Sequence, residues 1–287
     1  MVYRTKKKQN RYPFSNWMSF ESKLKTATSR HGFLCLGLDT ELEKLPAPFA
    51  KSSDSALKFN LEMIEISKNH VAAYKPNLAF YEALGTAGWE ILKKTCAEIP
   101  KDKILILDGK RGDIGNTARM YARAMFAELG GDAVTVNPYL GSDSLAPFIE
   151  NPEKGVYLVC LTSNAGASDF QLFPSADPLY LRVARRAAEW NKNKNIGLVV
   201  GATHPAPLAS VREVAPAIPF LIPGVGAQGG SLSDAVRYGT EGGKIPSLVN
   251  FSRSVLYASS GPDYREKAEA ELKKTKAEMD SLLSVRV

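Results

Sequence analysis

ILILDGKRGD, residues 104–113, opens on four apolar residues and closes on a cluster of charge at Asp108, Lys110, Arg111 and Asp113. Unpaired charge is costly to bury, so such a cluster is either a paired structural network or a site of chemistry. The apolar half is short and rich in Ile and Leu, which predicts a strand covered on both faces. The same design recurs along the chain. Apolar runs that end in polar or Gly-rich motifs stand at FLCLGLDT (33–40), VAAYKPN (71–77), AVTVNPYLG (133–141) and GVYLVCLTSNAG (155–166). Three more follow, at IGLVVGATHP (196–205), PFLIPGVGAQGG (219–230) and SLVNFSRS (247–254).

The segments between these runs carry helical spacing. After Ile114, apolar residues recur at Ala118, Tyr121, Ala122, Met125, Phe126 and Leu129, one face of a helix. Asp177 followed by Pro178 predicts an N-cap and a first-turn proline, with Tyr180, Val183, Ala184 and Ala187 on the buried face. A last helix is predicted from about Pro262, with Glu269 and Lys273 paired four apart on its surface. Eight strand–helix units in 287 residues predict an α/β fold, a single-domain (β/α)8 TIM barrel over residues 31–287. An open doubly wound sheet is the competing arrangement; no GxGxxG follows the first run, which weighs against its dinucleotide-binding form. Residues 1–30 read as a basic tail and a helix closing the barrel floor, through Phe14, Trp17, Phe20 and Leu24.

Charge and composition narrow the function. The net charge of +7 comes largely from Arg4, Lys6, Lys7, Lys8 and Arg11, and no acid precedes Glu21. The rest of the chain is nearly balanced, whereas a nucleic-acid protein spreads basic charge over a face. A nucleic-acid partner is therefore not expected, and the tail reads as a solvated terminus. No apolar run is long and unbroken enough to predict a membrane span. Cys35, Cys96 and Cys160 are odd in number and lack CxxC spacing. With no apolar leader at the start, they predict a reducing, cytoplasmic setting.

In a barrel, the C-terminal ends of the strands converge on one mouth. Here those ends hold Asp39, Lys75, Asn77, Asp108, Lys110, Asp113, Asn137, Ser163, Thr203, Gln228 and Arg253. Strand residues two apart share a face, so Asp108 and Lys110 both point to the axis and Lys75 joins them from the neighbouring strand. With Asp113 beyond the Gly112 turn, the spacing predicts a Lys–Asp–Lys–Asp row. PGVGAQGG and NFSRS form a second constellation. Gly224, Gly226, Gly229 and Gly230 allow backbone N–H groups close to a ligand. Loops after strands 7 and 8 are the usual barrel phosphate site, and Arg253 adds a guanidinium fork. His31, His70 and His204 are not at metal-ligand spacing, so no metal is predicted.

LDGKRGDIGNT (107–117), with LGLD and YKPN before it and PGVGAQGG and NFSRS after it, resembles the orotidine 5′-phosphate decarboxylase family. YKPN and LTSNAGA are similar to its second group, found in some bacteria and in the malaria-type enzymes. The resemblance implies a cofactor-free homodimeric barrel that converts orotidine 5′-monophosphate to UMP and CO2, the last step of de novo pyrimidine synthesis. It implies a charged tetrad of Lys75, Asp108, Lys110 and Asp113. Lys110 protonates C6, and Asp108 lies beside the substrate carboxylate. Asp39 and Lys75 hold ribose hydroxyls with Asn77 nearby, and Asp113 and Thr117 reach into the partner's site. Ser163 reads the pyrimidine edge, while Gln228, Arg253 and the backbone at Gly226 hold phosphate. A Mg-dependent sugar-phosphate decarboxylase or lyase of the same superfamily is the alternative, since it shares D-x-K-x-x-D.

Overall fold

The computed structural model describes residues 18–203, 205–225 and 229–284. Eight parallel strands close into a barrel in chain order. They are β1 Leu34–Gly37, β2 Ala73–Lys75, β3 Ile104–Arg111, β4 Ala133–Val136, β5 Gly155–Leu161, β6 Ile196–Val200, β7 Phe220–Ile222 and β8 Leu248–Phe251. Each predicted apolar run supplies one strand, and β8 pairs back onto β1 through Leu34–Val249 and Cys35–Asn250.

Alternation along the strands sorts the side chains into two buried groups. Leu36, Leu105, Leu107, Val134, Leu158, Leu198, Ile222 and Val249 pack outward against the helices. Cys35, Ala73, Ile104, Ile106, Ala133, Tyr157, Val199, Leu221 and Leu248 form the inner group with Phe20, Leu24 and Ala27. Those last three residues belong to the helix Phe20–His31, capped by Ser19. It closes the floor. Phe20 meets Tyr157 edge to face at 6.2 Å. A Cβ on Gly155 would stand 2.4 Å from the Phe20 ring, and one on Gly197 2.5 Å from the Tyr157 ring. The two rings thus occupy the space that side chains on β5 and β6 would need. The basic tail, Phe14 and Trp17 lie outside the described residues.

Two local expectations change. The helix after Ile114 runs as Gly115–Arg123 and then widens into a π-turn, Ala124–Glu128. The apolar spacing persists through the extra residue of the wide turn, so periodicity alone does not reveal it. Asp177 is not the N-cap of the next helix. That helix is Leu179–Trp190 with Pro178 at the cap, and Asp177 instead pairs with Arg185. A cap proline has no hydroxyl or carboxylate to offer, so no side chain caps this terminus. The last helix is Tyr264–Ser284, and Lys273 lies 2.7 Å from Glu269 as the spacing predicts. No described helix is long and apolar enough to cross a membrane.

Candidate active site at the barrel mouth

The inner face of each strand continues into the mouth two residues at a time. Ala73 leads to Lys75, Ile106 to Asp108, Ala133 to Thr135, and Leu248 through Asn250 to Ser252. The apolar floor is thereby topped by a polar layer. Lys75 Nζ lies 2.9 Å from Asp108 Oδ2 and 3.8 Å from Asp39 Oδ1. Lys110 Nζ lies 2.7 Å from Asp108 Oδ1. The row is therefore Asp39–Lys75–Asp108–Lys110.

Asp113 is not in that row. Its Oδ1 accepts a hydrogen bond from the next backbone amide, Ile114 N–H, at 2.8 Å, and neither lysine pairs with it. The predicted Lys75–Asp108–Lys110–Asp113 row is therefore not completed within one chain: Asp113 lies beyond the end of β3, where its carboxylate takes the next amide, and Asp39 is the second aspartate beside Lys75. Lys110 also reaches the axis by a different route from simple pleating. The β3–β4 register slips between Leu107–Val134 and Arg111–Val136, and Lys110 has a left-handed backbone, φ +44°. That conformation is rare outside Gly, Asn and Asp.

Burial and charge oppose each other in the row. Burial alone would push Lys75 down, but Asp108 and then Asp39 outweigh it and raise the lysine above its ordinary value. Burial alone would push Asp108 up, but Lys75 and then Lys110 hold its carboxyl below the usual range. Both groups are therefore ionised at neutral pH. Cys35, directly beneath, is pushed up to about 12 by burial and stays a neutral thiol.

Two hydroxyls that sequence reasoning missed belong to this layer. Thr135 Oγ1 donates to Asp108 Oδ1 at 2.8 Å and accepts from Lys110 N–H at 2.9 Å. Ser252 Oγ donates to Asp39 Oδ2 at 2.8 Å. Parity along β4 and β8 would have found both. Several buried polar atoms in this region lack a hydrogen-bond partner among the described residues, including Asp39 Oδ1, Ser163 Oγ and Asn250 Oδ1. Unsatisfied groups of this kind are uncommon away from ligand sites. Ser163 keeps its place only because residue 201 is glycine; a Cβ there would lie 2.3 Å from Ser163 Oγ.

The remaining candidates are distributed around the rim. Asn77 and Asn137 each cap a following turn, accepting from Ala79 N–H at 3.2 Å and Tyr139 N–H at 3.1 Å. Thr117 is exposed on the helix Gly115–Arg123, and Thr203 follows β6 in a turn. Arg253 is exposed, begins a short helix and follows Ser252 directly. After β7, Gly224 and Gly229 take φ +91° and +81°, and Gly230 N–H donates to Gly224 O at 3.0 Å, closing the neck of the loop. Gly226, Gln228 and His204 lie outside the described residues. Among the described residues, no group of three or more His, Cys, Asp or Glu side chains could hold a metal ion. A row of alternating charge, buried at Lys75 and Asp108 and exposed at Lys110, with Arg253 following Ser252 at the rim, can hold an anionic ligand and deliver a proton from Lys110.

Comparison with known proteins bears on that chemistry. Residues 32–270 match the sequence model described as "Orotidine 5′-phosphate decarboxylase / HUMPS family". Over 245 residues the chain is 48% identical to orotidine 5′-phosphate decarboxylase of Herpetosiphon aurantiacus, covering 84% of this chain and 90% of that one. The structure of Leishmania donovani OMP decarboxylase aligns with TM-score 0.77 and 40% identity, over 91% of this chain and 99% of that chain. Leishmania donovani UMP synthase aligns with TM-score 0.85 and 40% identity over 94% of this chain, which spans 57% of that longer protein.

Proposed function

The chain belongs to the orotidine 5′-phosphate decarboxylase / HUMPS family, and from that premise we infer that it is an orotidine 5′-phosphate decarboxylase, a carboxy-lyase of pyrimidine synthesis. It converts orotidine 5′-monophosphate to UMP and CO2. The observation that carries this reading is the salt-bridged row Asp39–Lys75–Asp108–Lys110 at the strand ends.

Each member has a task. Lys110, half exposed beside Asp108, donates the proton to C6 as CO2 departs. Asp108 stands beside the substrate carboxylate. Lys75, with Asp39, holds the ribose hydroxyls, and Asn77 borders them. Ser163 offers its unpartnered hydroxyl to the pyrimidine edge. Arg253, Gln228 and the Gly226 backbone hold the phosphate.

Magnitudes decide how the work is divided. Two like charges ~4 Å apart repel by about 4 kcal/mol at an effective dielectric of 20. A reaction this slow without catalyst demands a barrier reduction of roughly 20 kcal/mol. Pressure from Asp108 on the substrate carboxylate is therefore a minor share. The larger share comes from the preorganised Lys110 ammonium meeting the developing carbanion. Phosphate binding, remote from C6, supplies orientation.

The active assembly is a homodimer in which Asp113 and Thr117 enter the partner's site. Asp113 stands outside its own chain's row, and Thr117 is exposed. Beside them Ile114 is 59% exposed and Tyr139 81%, apolar surface of the kind that protein contacts cover. The three cysteines are buried and form no disulfide, which supports a cytoplasmic setting.

The test is the loss of the orotate absorbance when orotidine 5′-monophosphate is mixed with the protein in excess chelator. Turnover is expected to be unaffected by the chelator. Absence of turnover without divalent metal, restored by Mg2+ on a sugar-phosphate substrate, refutes the reading in favour of a metal-dependent lyase.

A further inference from the structure

We propose that Thr135 is a positioning residue for the decarboxylation, fixing the place from which Lys110 delivers its proton. The inference rests on the decarboxylase reading above. In β3 and β4 the pairs Ile106–Ala133 and Leu107–Val134 are followed directly by Arg111–Val136. Asp108, Gly109 and Lys110 therefore stand opposite Thr135 alone. A bulge of this kind strips backbone groups of their ladder partners and re-aims the side chains it carries.

The Lys110 amide is one of the stripped groups, and Thr135 Oγ1 accepts its N–H at 2.9 Å. A hydroxyl has one proton to give. Here it goes to Asp108 Oδ1, 2.8 Å away. The same carboxylate oxygen takes Lys110 Nζ at 2.7 Å. The contacts form a closed ring: Lys110 amide, Thr135 hydroxyl, Asp108 carboxylate, Lys110 ammonium. Both ends of the long Lys110 side chain are tied, one directly and one through Thr135. Lys110 carries the left-handed backbone, φ +44°, so its main chain needs such a tie to hold that shape. Thr135 is 1% exposed, and bulk water cannot take over either bond.

A purely structural Thr135 would matter only for stability. A positioning Thr135 matters for the rate, because an ammonium displaced by a fraction of an ångström costs turnover more than affinity. The test compares Thr135→Val, which keeps the shape and loses the hydroxyl, with Thr135→Ser, which keeps the hydroxyl. Wild type and variants are assayed side by side on orotidine 5′-monophosphate, with thermal midpoints recorded. Thr135→Val is expected to lower kcat about 10- to 100-fold, the range of a lost bond to a charged group, with KM changed less than about 3-fold. Thr135→Ser is expected to restore most of kcat. Should the valine protein not fold, Thr135→Cys keeps similar volume with a weak donor and is expected to lose kcat in the same direction.

An active wild type with Thr135→Val kcat within about 3-fold of it overturns the assignment while leaving the decarboxylase reading intact. So does a defect confined to KM, or a serine variant as impaired as the valine one. An inactive wild type overturns the decarboxylase reading itself.

Discussion

Lys75 is the test of whether the row is an electrostatic unit. It is 5% exposed and lies between two carboxylates, Asp108 at 2.9 Å and Asp39 at 3.8 Å. Lys75→Met keeps much of the stem and removes the charge. Buried Asp108 and half-buried Asp39 then lose their shared cation, a change that costs about 3–5 kcal/mol where a buried pair is broken. For a chain of this size that lowers the thermal midpoint by roughly 6–10 °C at pH 7. The pH dependence gives the finer check. Asp108 is held below the usual carboxylate range, so its contribution is full above its unfolded pKa of about 4 and fades as the pH falls below that. Lys75 is raised, so its contribution is full below about 10.4 and is lost only as the pH rises further. The gap between wild type and Lys75→Met is therefore widest from roughly pH 5 to 9 and narrows in acid, where Asp108 takes up a proton. Differential scanning calorimetry from pH 3 to 9 measures it. Lys25→Met is the control: Lys25 pairs with Glu21 on the surface, 58% exposed, and is expected to cost under about 1 kcal/mol. A Lys75→Met midpoint equal to that of wild type at pH 7, or a gap that stays constant into acid, would refute the linked-charge account.

Mixing Lys110→Ala and Asp113→Ala chains tests the contribution of Asp113 across the dimer. Heterodimers then hold one intact and one doubly damaged site, so an equal mixture is expected to regain about a quarter of wild-type turnover; exchange of subunits without any recovery places Asp113 in its own chain's site. Arg253→Lys keeps the charge but loses the two-pronged guanidinium, and is expected to raise KM about tenfold or more with a smaller change in stability. An unchanged KM removes Arg253 from phosphate binding.

The barrel was legible because its strands are buried on both faces, so each reads as a short unbroken apolar run between polar segments. Asp108 and Lys75 were legible because their charge interrupts that pattern at the strand ends, on the inner parity. Parity along β4 puts Thr135 on the inner face, but inside AVTV a β-branched residue reads as strand filler, and the register slip that gives its hydroxyl two partners depends on the neighbouring strand. Ser252 has the inner parity of β8 but stands one residue before the conspicuous Arg253, and its partner Asp39 lies 213 residues away in the chain. Distance along the chain puts Asp113 in the row, but it lies beyond the end of β3, where its carboxylate takes the Ile114 amide instead. Sequence spacing reports which residues are near in chain order, whereas the bulge and the end of the strand decide which of them meet.

The floor of the barrel has a practical consequence for where this protein can be cut. The family match begins at residue 32, and a truncation guided by it would discard the ring of Phe20, 1% exposed inside the barrel, and the bond from Phe20 N–H to Pro152 O. Gly155 has no side chain to fill the gap, so the deletion uncorks the barrel from below, at a cost comparable to removing a buried phenylalanine, about 3–5 kcal/mol. A shortened protein that is to stay folded therefore keeps the chain from Ser19 onward, well ahead of its first strand.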